Sequence, residues 1–93
     1  MKIMIVCIGN TDNKLTQQEW FAFSNEINLI LNQYPHTLHF FGGPPTHSPY
    51  QNVLWMFEIE EKYIKEIKDK VKKIREMFWQ NSVLTMVDDG EFV

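Results

Sequence analysis

Residues 2–8, KIMIVCI, are apolar at both parities, with Ile3, Ile5 and Cys7 on one side and Met4, Val6 and Ile8 on the other. A strand covered on both faces carries that pattern, so the spacing predicts a central strand. The polar stretch GNTDNK follows, and LTQQEW opens a helix with Thr16 as N-cap, Glu19 as its capping-box partner and Leu15 with Trp20 as a hydrophobic staple. Trp20, Phe23, Ile27, Ile30 and Tyr34 then recur at steps of three and four until Pro35 ends the pattern. Residues 37–41, TLHFF, read as a short strand. NVLWMFEIE alternates Val53, Trp55, Phe57 and Ile59 against Leu54, Met56, Glu58 and Glu60, forming a hairpin with the strand before it. From Glu60 to Phe78, Ile64, Ile67, Val71, Ile74 and Phe78 mark a second amphipathic helix, and SVLTMV (82–87) is the last strand.

The order β-α-β-β-α-β predicts an α+β, ferredoxin-like fold: a four-stranded antiparallel sheet with two helices on one face. Right-handed crossovers place the first and third strands in the centre. Residues 1–93 fit a single domain. The uncovered face is apolar whichever side it is, and its patch exceeds the few hundred Å² tolerated on a monomer. A homo-oligomer stacking sheet on sheet is therefore expected, with another protein as the alternative partner.

Charge narrows the function classes. The net charge of -3 speaks against general nucleic-acid binding, whose affinity comes from neutralising phosphates. Lys62, Lys65, Lys68, Lys70, Lys72, Lys73 and Arg75 nevertheless hold seven of the nine basic residues, all on the second helix. They read as its solvated face, with a nucleic-acid-binding or partner-binding face as the alternative. Cys7 has no cysteine partner, the N-terminal stretch has no leader character, and no apolar run approaches the ~20 residues that cross a bilayer, so a cytoplasmic protein with no membrane partner is expected.

The predicted topology brings three polar connections to one end: GNTDNK (9–14), GGPPTHSPYQN (42–52) and WQNS (79–82). A loop of about a dozen residues is long for so small a domain and marks either function or disorder. The candidate ligand-binding residues are Asn10, Thr11, Asp12, Asn13, Thr16, Gly42, Gly43, His47, Tyr50, Asn52, Gln80 and Asn81. The N-terminus of the first helix offers unpaired backbone N–H groups to an anion, and the glycines permit close backbone approach. Ordinary turn chemistry is the competing explanation for the same residues. His36 and His39, three apart at a strand start, point to opposite faces and do not make a metal pair. Cys7 reads as inert core, and His47 has no partner at a recognisable spacing. No catalytic residue, metal ligand or cofactor is predicted.

Two families with this topology fail on their defining residues. An RNA-recognition motif needs a basic, glycine-led aromatic third strand and an aromatic on the first, whereas NVLWMFEIE and IMIVCIGN have neither. Acylphosphatases use an arginine in the loop after the first strand, and GNTDNK has none. The segments GNTDNKLTQQEW, HFFGG, YQNVLWMFEI and QNSVLTM resemble those of a family of small uncharacterised proteins of phages and their bacterial hosts. That resemblance implies roles such as sequestering a host signalling nucleotide or blocking a host enzyme, and it transfers no catalytic residue. The sequence thus leaves three readings: a non-enzymatic binding protein for a small polar or nucleotide-like ligand at the loop end, a protein-binding inhibitor acting through the open sheet face or the Lys-rich helix, and an enzyme with an unrecognised site.

Overall fold

The computed structural model of the chain describes residues 1–10, 15–43, 51–91 and 93. Its elements run β1 (Lys2–Gly9), α1 (Gln17–Leu31), β2 (His36–Gly42), β3 (Asn52–Ile59), a 3-10 turn (Glu61–Tyr63), α2 (Ile64–Met77) and β4 (Leu84–Asp88). The strands form one antiparallel sheet in the order β2-β3-β1-β4, so β1 and β3 are central as the crossover rule requires. The α+β, ferredoxin-like prediction holds.

Register explains how the two faces differ. Met4 pairs with Phe57, Val6 with Trp55 and Ile8 with Val53. This parity faces the helices: Met4, Val6, Trp55, Phe57 and Ile59 are buried together with Phe23, Ile27, Ile30 and Leu31 of α1 and Ile67 and Val71 of α2. Each such side chain, fully buried, contributes roughly 1.5–3 kcal/mol. The other parity forms two rows across the sheet, Phe40–Met56–Ile5–Met86 and Gly42–Leu54–Cys7–Leu84. No described helix covers these rows, and Phe40, Leu84 and Met86 are exposed.

Element boundaries moved where side chains intervened. Thr16 caps α1 as predicted, its hydroxyl accepting from the Glu19 N–H at 3.1 Å while the Glu19 carboxylate accepts from the Thr16 N–H at 2.9 Å. The helix ends at Leu31 rather than at Tyr34, because the N–H groups of Gln33 and Tyr34 turn back to the carbonyls of Ile30 and Leu31, the tighter three-residue spacing of a 3-10 turn. The second helical segment likewise starts with a 3-10 turn. β4 begins at Leu84 instead of Ser82, since Arg75 donates from Nη1 to the carbonyls of Gln80 (3.0 Å) and Asn81 (2.9 Å) and holds that segment to α2. Between Leu38 and Phe40 the β2 register slips by one residue, a bulge that puts His39 and Phe40 on the open face. His36 sits on the helix side against Phe57 and His39 lies 3.2 Å from the Glu58 carboxylate, so the two histidines do occupy opposite faces.

Candidate binding cleft

Glycines let neighbouring groups draw in at the loop end of the open face. Gly9 pairs with Asn52 one row beyond Cys7 and Leu54, on the same side of the sheet. A Cβ on Gly9 would lie 2.8 Å from the Asn52 side-chain oxygen, so the amide of Asn52 leans into space that only glycine leaves. A Cβ on Gly43 would collide with the Asn52 carbonyl at 2.1 Å, which fixes glycine where the β2 and β3 backbones draw together. Gly42 ends the lower row without a side chain. Two hollows result. One of about 330 Å³ is lined by Cys7, Ile8, Gly9, Asn52, Gln80, Asn81, Ser82 and Leu84. The other, about 290 Å³, is lined by Cys7, Phe40, Gly42, Gly43, Asn52 and Leu54. They share Cys7 and Asn52 in their linings and so adjoin, an amide-rich hollow beside an apolar, aromatic one; together they are the cleft.

The turn after α2 supplies the amide-rich wall. Gln80 N–H bonds to the Arg75 carbonyl at 3.0 Å and Trp79 N–H to Glu76 at 3.2 Å, the paired bonds of a Schellman closure. Its left-handed position is held by Trp79 at φ 56, where glycine is usual. A β-carbon there costs about 1–2 kcal/mol, and the ring is 68% exposed. The turn swings residues 80–82 toward β1 and the cleft. Gln80 is buried and donates to the Phe78 carbonyl at 3.1 Å. The side chains of Asn52, Asn81 and Ser82 make no hydrogen bond to described residues and stand available as donors and acceptors.

The predicted site residues separate into groups. Gly42, Gly43, Asn52, Gln80 and Asn81 meet at the cleft. Asn10 does not: it is buried, donating from Nδ2 to the Leu15 carbonyl (3.0 Å) and to Gln51 Oε1 (2.8 Å) and accepting from the Leu15 N–H (3.0 Å). It ties the ends of the 11–14 connection to the β3 entrance. Thr16 is occupied with its own cap, and an anion brought to that helix start would meet the Glu19 carboxylate. Thr11, Asp12, Asn13, His47 and Tyr50 lie outside the described residues.

Sequence reasoning missed Gly9, Phe40, Leu54, Ser82 and Leu84. It also placed Cys7 in the core as an inert thiol; Cys7 instead has the open-face parity, is half-buried and lines both hollows. Burial pushes its thiol above the ordinary value, so it stays protonated at neutral pH. The signal that would have found the cleft is the pairing of Gly9 with an asparagine on the neighbouring strand, visible only once register is known. The described lining residues offer amides, a hydroxyl, a thiol and apolar side chains, a set suited to hydrogen bonding and apolar contact. Comparison with protein-family models gives no match, and comparison with curated proteins gives none either.

Proposed function

We propose that the protein is a non-enzymatic binding protein that holds a small polar, nucleotide-like ligand in the loop-end cleft. The observation that carries this reading is the joining of two chemically different hollows at Cys7 and Asn52. A planar polar ring suits such a site: Phe40 and Leu54 offer it apolar surface, while the amides of Asn52 and Asn81 and the Ser82 hydroxyl read its edge. The resemblance to small phage proteins is compatible with a sequestering role of this kind. The test is mass analysis of what natively purified protein releases on denaturation. A small polar molecule near one equivalent is expected, absent from Asn52→Ala and Asn81→Ala variants that melt like the parent. A preparation that releases nothing, or variants that retain the molecule in full, would overturn the reading.

A second copy of the chain is the partner that fits best with this cleft, and it changes the expected interface. Stacking two open faces would close the cleft. Leu38 and Phe41 point to the helix side and Phe40 to the open side of edge strand β2, and all three are about half exposed. Antiparallel pairing of β2 with β2 of a second copy is self-complementary, shelters Leu38 and Phe41 and stacks no second sheet on the open face. A dimer broken by Phe41→Lys is expected in sedimentation, whereas a monomer of 11.1 kDa at high concentration would exclude it. Inhibition of a host protein through the open face is the reading that a failed ligand test would leave.

A further inference from the structure

Four residues of α2, Lys68, Val71, Lys72 and Arg75, follow the i, i+3, i+4, i+7 spacing that places them on one side of a helix. That side borders a groove of about 310 Å³, whose other lining residues are Asn81, Ser82, Val83 and Thr85. We infer that this groove is an anion subsite that takes the phosphate of a phosphorylated ligand whose polar ring occupies the adjoining cleft; the inference rests on the ligand reading above.

The first support is the state of the cations. Lys65 is paired with Asp69 at 3.0 Å, Lys70 lies 4.0 Å from Glu66, and Arg75 is committed to the Gln80 and Asn81 carbonyls. Lys68 and Lys72 have no acidic partner among the described residues. Lys72 also borders a hollow containing Asp69 and Glu76, but Asp69 is held by Lys65 and Glu76 lies 3.5 Å from Arg75. Lys68 and Lys72, one helical turn apart, border the groove together with Ser82 and Thr85, so two ammonium groups and two hydroxyls are within the reach of their side chains from it. That donor set matches a phosphate dianion. The second support is continuity: the groove lies on the helix side of β4 and the cleft on its open side, and Asn81 and Ser82, just before β4, line both, so a ligand bridges them by passing over this segment. Arg75 is a positioning residue here, because its two backbone contacts hold the shared wall against α2. The helix start where the sequence predicted an anion is closed by Glu19, which leaves this groove as the better-furnished anion site of the two.

The test is a residue-resolved NMR titration of the full chain with nucleoside 5′-monophosphates, the matching nucleosides and inorganic phosphate. At least one nucleotide is expected to shift signals of Lys68, Lys72, Ser82 and Thr85 together with those of Asn52 and Gln80. It should bind about 10–100-fold more tightly than its nucleoside, the worth of a charge-assisted contact. Lys68→Gln/Lys72→Gln should erase that advantage and its salt dependence, while Lys65→Gln keeps both. Equal binding of nucleotide and nucleoside, with shifts confined to the cleft, overturns the anion subsite and leaves the ligand reading standing. Shifts confined to the groove, reproduced by inorganic phosphate, support the subsite and overturn the nucleotide reading of the cleft. No shift at either place overturns both.

Discussion

Replacing Asn10 by alanine tests how the loop end is built. The Asn10 amide makes three side-chain hydrogen bonds, and two of them satisfy the N–H and C=O of Leu15, a residue only 4% exposed. Alanine leaves both backbone groups buried and unpaired at about 1–3 kcal/mol each, so a loss of roughly 3 kcal/mol is expected. Gln51 adds little, because its own amide donates to Gln17 Oε1 at 2.8 Å near solvent. Against a total stability of about 5–15 kcal/mol this is severe, and the urea midpoint should fall by about 1–3 M at an ordinary m-value. Tryptophan fluorescence reads the transition, since Trp55 is in the core. Asn10→Asp gives an internal check: the carboxylate can still accept from Leu15 N–H but cannot donate to Leu15 O. Its folded-state pKa should lie above the unfolded value of about 3.9, so the penalty is full at neutral pH and shrinks as acid protonates it. A loss below about 0.5 kcal/mol in Asn10→Ala would refute the argument that this amide closes the connection.

Thr16→Ala should cost about 1 kcal/mol, the usual value of an N-cap, read as a lower denaturation midpoint; no change would mean that the capping box contributes nothing. Trp79→Gly should raise stability by about 1 kcal/mol through relief of the left-handed backbone, and a lower midpoint would show that the exposed ring makes contacts worth more than the strain. Lys2 and Asp89 pair near the chain ends, and hydrogen bonding and charge from Lys2 hold the Asp89 carboxyl below its usual 3.8. Because that pKa is depressed in the fold, the pair's contribution is present above the ordinary value and is lost as pH falls through the lowered one. NMR titration of Lys2→Met should return Asp89 to the ordinary range, and an unmoved Asp89 would contradict the pairing.

Periodicity made much of this fold readable. The capping box, the helical stripes and the alternation in β3 are local signals whose physical cause lies within a few residues, and β1's two-sided apolarity marked it as central. What escaped depends on distant contacts. The late start of β4 comes from Arg75 reaching the carbonyls of Gln80 and Asn81, and the slip at His39 comes from pairing with β3. The cleft was legible in part: Asn52, Gln80 and Asn81 were found because amides in converging loops are a recognisable pattern. Asn10 belongs to the same pattern but spends its amide on the backbone of Leu15. Gly9 reads in the sequence as the start of the connection and Cys7 as inert core, and only their register against Asn52, Leu54 and Leu84 places them in the lining of a site.

A crystal structure of protein purified without unfolding or extensive dialysis tests the ligand reading most directly. The account predicts a small molecule in the cleft, within hydrogen-bonding distance of Asn52 and Asn81 and in contact with Phe40 or Leu54. A cleft sealed by a second sheet stacked on the open face, or a bound molecule held elsewhere on the surface, would contradict it.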